Sequence, residues 1–174
     1  MAMVNRIIVI LLSVGLASLL LYTERGSRLL AGIASNAARD TCVTGIDSDV
    51  RRSSTYMENG KTFITESCSR TVATWQRQGS RLTLRSVQAF EPAPWLPDQI
   101  NIYASADNLV AYLGKPHKVD RGGLVDMYYY KVGSHGLIVI QVPTKTGVIG
   151  SVSVEFQEAM PNNSFKPTPL RGAA

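Results

Sequence analysis

Four arginines, Arg70, Arg77, Arg81 and Arg85, fall in a stretch with no acid between Arg70 and Phe90. Guanidinium groups gathered on one surface bind carboxylates and phosphates bidentately, so the chemistry they suggest is anion or partner recognition. A solvated sheet surface carrying the same residues is the more ordinary reading. Tyr129 joins this candidate surface. In Tyr128-Tyr129-Tyr130 the rings alternate faces if the stretch is a strand, which leaves at least one exposed beside Lys131.

Catalytic chemistry finds no such foothold. His117 and His135 fall in expected loops next to Gly, Pro or Lys, where an imidazole is ordinarily solvated. Asp47 and Asp49 are the closest acid pair and sit near a turn. No nucleophile elbow, phosphate-binding loop or dinucleotide fingerprint occurs. The two cysteines, Cys42 and Cys68, and the two distant histidines lack zinc-site spacing, so neither metal nor cofactor is expected. An even cysteine count in an oxidising compartment suggests a Cys42–Cys68 disulfide; in the cytoplasm the same residues would be two buried thiols.

Compartment is addressed by the amino terminus. Arg6 precedes the uncharged run Ile7 to Tyr22, IIVILLSVGLASLLLY. As a helix it would reach roughly 24 Å, short for a bilayer core of about 30 Å and comfortable for a signal peptide. The polar stretch Thr23 to Arg28 offers no small-residue cleavage site directly after it, which favours an uncleaved anchor over residues 1–22 with Arg6 and Tyr22 at its interfaces. The expected location is the inner membrane with the domain facing the periplasm. Cleavage and release to the periplasm, or a cytoplasmic domain as Arg25, Arg28 and Arg39 would favour, are the alternatives. The net charge of +5 suits solubility, anionic lipid or another envelope component. Export argues against nucleic acid.

The elements that would position these residues follow from periodicity. Leu29, Leu30 and Ile33 give a juxtamembrane helix or linker over residues 23–40. Residues 41–90 are expected as a β-rich hairpin region: one hairpin turns at Asn59-Gly60 and another at Gln78-Gly79-Ser80. In the latter, Leu82 and Leu84 alternate with Arg81, Thr83 and Arg85. Glu91 to Pro97 carries three prolines and forms, with residues up to 104, a connector. Residues 105–160 are expected as one helix and a three-stranded antiparallel sheet. Ser105 is the N-cap and Asp107 lies in the first turn. Leu109, Val110 and Leu113 make the apolar face, and Gly114 and Pro116 end the helix. The strands run Leu124 to Val132, Gly136 to Val142 and Val148 to Phe156. The fold class this predicts is α+β, with an N-terminal membrane helix and a short helix packed on one face of antiparallel sheet elements.

Ser105 to Phe156 resembles the BamE (SmpA/OmlA) domain of small outer-membrane lipoproteins. The features that carry the likeness are Leu113-Gly114-Lys115-Pro116, the tyrosine-rich stretch, Gly136-Leu137-Ile138-Val139, and the turn and strand from Gly147 to Phe156. The resemblance implies the fold of this stretch. It does not carry over an activity, because the family's lipid-bearing cysteine is absent and Ala104-Ser105 stand where its helix motif has glycine. Asn163 to Ala174, NSFKPTPLRGAA, resembles the tail of proteins encoded by integron gene cassettes, which implies a bacterial, mobile gene; residues 161–174 are expected to be disordered. Together these features predict an envelope binding or assembly module held by Ile7 to Tyr22, with an envelope protein or anionic lipid as partner. An exported small enzyme or enzyme inhibitor is the alternative from another class.

Overall fold

A computed structural model describes residues 24–40, 52–68, 70–133 and 136–156, together with the backbone of residues 164–165. A helix covers residues 24–37 (α1). Four strands follow as consecutive hairpins: β1 (Arg52–Glu58), β2 (Lys61–Ser67), β3 (Thr71–Gln78) and β4 (Arg81–Ala89). After the proline-rich connector come a 3-10 turn, Asp98–Ile100, and a two-turn helix, α2 (Asp107–Leu113). The chain then forms β5 (Lys118–Arg121), β6 (Val125–Val132), β7 (Gly136–Pro143) and β8 (Ser151–Phe156). Ser164–Phe165 (β9) lies within the segment expected to be disordered and pairs with Leu82 and Thr83 of β4.

All the strands share one antiparallel sheet, ordered β1-β2-β3-β4-β8-β7-β6-β5, with β9 on β4. The two β-rich stretches on either side of the prolines are therefore joined directly, through Ser86↔Glu155 to Ala89↔Val152. This corrects the expectation of an α+β fold: among the described residues the protein is mostly β, a single sheet with two helices. The expected transmembrane helix and signal anchor are corrected as well, since no helix among the described residues is long and apolar enough to cross a membrane. The run Ile7 to Tyr22, on which that expectation rests, lies outside them.

Period-2 alternation sorts the sheet into two faces. On the core face Trp75, Leu84, Val87, Ile138, Ile140, Val152, Val154 and Phe156 are buried together. Against them pack Leu30, Ile33, Ala34 and Ala37 of α1, so the helix foreseen as a linker is part of the core. Gly136 makes room for it: a Cβ there would lie 2.2 Å from a Leu30 methyl. α2 adds Leu109 and Leu113, while Val110, expected on its apolar face, is exposed. The helix begins one residue beyond Ala106, with the Asp107 N–H donating to Ser105 Oγ at 3.3 Å. It ends at Gly114, whose φ of 81° only glycine adopts readily and whose N–H reaches the Val110 carbonyl.

The connector also belongs to the core. Ala93, Trp95 and Leu96 are buried, and the Asn101 carboxamide pins them by accepting from the Ala93 N–H and donating to the Ala93 carbonyl, both at 3.0 Å. A side-chain amide here performs the exchange that a neighbouring strand would otherwise make.

Candidate functional site

The outer face of the sheet carries a concavity of about 420 Å³ over β1 to β4 and β8. Its residues follow from hairpin arithmetic. Asn59 and Gly60 both have positive φ, 50° and 72°, as a two-residue type I′ turn requires. That turn fixes Glu58↔Lys61 and hence Tyr56↔Phe63, whose rings stack with centroids 5.4 Å apart. Tyr56 is 44% exposed, so the pair forms an accessible aromatic wall. Thr74, Ser86, Ser153, Glu58 and Glu155 line the rest together with Arg85.

Arg85 lies on the outer face by alternation with the buried Leu84, at the point where the β3–β4 register slips. Trp75 opposes Leu84 while Thr74 opposes Ser86, which leaves Arg85 as the extra residue of a bulge. Its Nε–H donates to Gln76 Oε1 at 2.7 Å, and Nη2 donates to the same oxygen. Gln76 is only 2% exposed, so this acceptor is fixed and the guanidinium is held ready before any ligand arrives. The surroundings are of mixed sign: one arginine against the carboxylates of Glu58 and Glu155.

The other arginines of the expected surface are dispersed. Arg77 and Arg81 are exposed at the β3–β4 tip, with opposite parity along their strands. Arg70 lies at the far end of β3, bridged to the buried Asp40 with Nη2 3.4 Å from Oδ1. Tyr129 is on the outer face but three strands from β4, roughly 14 Å away at ordinary strand spacing. Lys118 Nζ lies 5.3 Å from the centre of its ring and 2.7 Å from Asp120 Oδ2. That hydrogen bond is the main reason the Lys118 ammonium is raised above, and the Asp120 carboxyl held below, its ordinary pKa. The residues of the candidate surface are thus spread over four separate places, and of them only Arg85 lines this concavity.

Cys68 is disulfide-bonded. Cys42, Asp47, Asp49 and His135 lie outside the described residues, and His117 is exposed, its backbone N–H bonded to the Tyr129 carbonyl. No group of three or more His, Cys, Asp or Glu among the described residues is placed to hold a metal ion. A second concavity, of about 720 Å³, opens between α1, the end of α2 and β6, where Arg25, Arg28 and Lys131 surround Leu29 and Tyr112. Arg28 is bridged there to Glu24.

Sequence reasoning passed over Tyr56, Phe63 and Gln76. The first two were within reach, since equal spacing from Asn59-Gly60 makes them cross-strand partners. Gln76 was not, because nothing local to a polar strand residue announces that it is buried under an arginine of the neighbouring strand.

The sequence matches no protein-family model and no curated protein. Among solved structures it is similar to a DUF4309 family protein from Bacillus subtilis subsp. subtilis str. 168, with a TM-score of 0.37 and 12% identity over 74% of this chain and 96% of that one. So low a likeness says nothing about fold or activity.

Proposed function

We propose that this chain is an exported binding or assembly module, not an enzyme, that takes a protein partner on the outer face of its sheet. One observation carries the reading: an accessible Tyr56–Phe63 stack beside Arg85, whose guanidinium Gln76 holds in place. Tyr, Trp and Arg are enriched among the few residues that dominate binding energy at protein interfaces, and fixing them beforehand lowers the ordering cost of binding. Glu58 and Glu155 in the same concavity favour a polypeptide of mixed charge over a purely anionic lipid. Export rests on the apolar run Ile7 to Tyr22 as an address and on the disulfide at Cys68, for which Cys42 is the other cysteine of the chain.

Photo-crosslinking from p-benzoylphenylalanine at position 63 in living cells tests the reading. A discrete cross-linked protein, lost when Arg85→Glu is added, is the expected result. Labelling no stronger than from the same probe at Leu124, exposed outside the concavity, would refute it.

A further inference from the structure

The two edges of the sheet are built differently. β5 is four residues long, carries Lys118 and runs into Gly122-Gly123, all features that discourage further pairing. β1 has seven residues, no proline, no lysine and an unbroken one-to-one register with β2. Residues 53–58 are all exposed, and Met57 is 73% exposed. Among the described residues β1 has no strand on its other side.

The turn decides which backbone groups that open edge offers. In a two-residue hairpin the residues flanking the turn exchange both hydrogen bonds, so Glu58, Tyr56, Ser54 and Arg52 direct their N–H and C=O groups to β2. Met57, Thr55 and Ser53 direct theirs outward. A second β1 laid antiparallel about a two-fold axis at Thr55 meets this pattern throughout: Thr55 exchanges bonds with its own copy, and Ser53 with Met57 of the second copy. The intervening, closely spaced positions then bring Ser54 opposite Tyr56 and the Arg52 position opposite Glu58, at both ends of the ladder. The sequence RSSTYME is thus complementary in charge to itself in this one centred register.

We infer that β1 is a homodimerisation edge, pairing antiparallel with β1 of a second copy about Thr55. The two eight-strand paths become one continuous sheet, and the two Tyr56–Phe63 walls are brought to its middle. This goes beyond the proposed partner site and stands without it, because the pairing involves no other molecule.

Thr55→Cys in the full chain provides the test. Antiparallel partners exchanging hydrogen bonds have Cα atoms about 5.5 Å apart, within disulfide reach. Mild oxidation should give a reducible dimer in at least tenfold higher yield than Leu124→Cys. Glu58→Arg added to Thr55→Cys should cut that yield severalfold by setting like charges opposite each other, and Arg52→Glu with Glu58→Arg should recover it. A Thr55→Cys yield no higher than that of Leu124→Cys overturns the inference. So does a yield unmoved by Glu58→Arg, or one that the double reversal fails to recover.

Discussion

Arg70 and Asp40 form an ion pair across thirty residues of sequence, with the Asp40 side chain 2% exposed and that of Arg70 at 36%. Asp40 follows the end of α1 and Arg70 immediately precedes β3, so the pair fastens the helix to the sheet. Removing the arginine takes a counter-charge away from a desolvated carboxylate. Arg70→Met should cost about 1 to 3 kcal/mol, less than for a fully buried pair because Arg70 is partly solvated. Urea denaturation of this variant, of Asp40→Asn and of the double variant reads it, and additive losses would show that the pair is not coupled.

Gly136→Ala should destabilise by about 1 to 3 kcal/mol through overpacking, because the new methyl would fall on the buried Leu30 side chain. Leu30→Ala in the same chain should make Gly136→Ala cheaper than it is alone. Equal costs in both backgrounds would mean that α1 does not press on β7. Thermal denaturation of the four chains decides.

The Lys118–Asp120 pair sets a pH window. Asp120 has a lowered pKa, so its favourable interaction is present above the ordinary aspartate value and is lost as pH falls through the lowered one. Lys118 has a raised pKa, so its share is present below the ordinary lysine value and is lost as pH rises through the raised one. The Tyr129 ring signals in an NMR titration should therefore hold steady from roughly pH 5 to pH 9 and move outside that range. Both groups are exposed, so global stability should barely respond. A Tyr129 shift centred near neutrality would contradict this account.

Reduction of the Cys68 disulfide should lower stability by about 3 kcal/mol, on the model in which a cross-link restricts the unfolded chain. An alkylation gel shift on fractionated cells, with and without reductant, checks both the bond and the compartment. Thiols blocked until reduction support export, and freely reactive thiols oppose it.

Much of the local structure was legible in the sequence, and the reason is turn chemistry. Asn59-Gly60 fixed one hairpin, Gly79 the next, and Gly114 the end of α2, because positive φ is a local demand that few residues meet. Alternation along Val152, Val154 and Phe156 identified the buried face of β8. What lay beyond reach was pairing between distant strands. Nothing near Ser86 announces Glu155, so two β segments looked separable when they are one sheet. The arginine surface dispersed for a related reason: Arg77 lies an odd number of residues from Arg70 and faces the other side, and Arg70 is drawn to Asp40, a partner that no local pattern announces. Arg70 looked like surface charge because its counter-ion sits thirty residues upstream. β5 escaped notice because four residues, three of them charged and followed by two glycines, carry too little apolar pattern.

The place of β8 between β4 and β7 bears on the order in which the chain can fold. The hairpins β1 to β4 need only near neighbours and can assemble as soon as they are made, as can β5 to β7. The strand that unites them is made after both. Until residues 151–156 are free to dock, β4 and β7 each present an open edge to any passing extended chain. The vulnerable species of this protein is consequently one with both groups of hairpins made yet still divided in two, and it is the one a chaperone would have to shield.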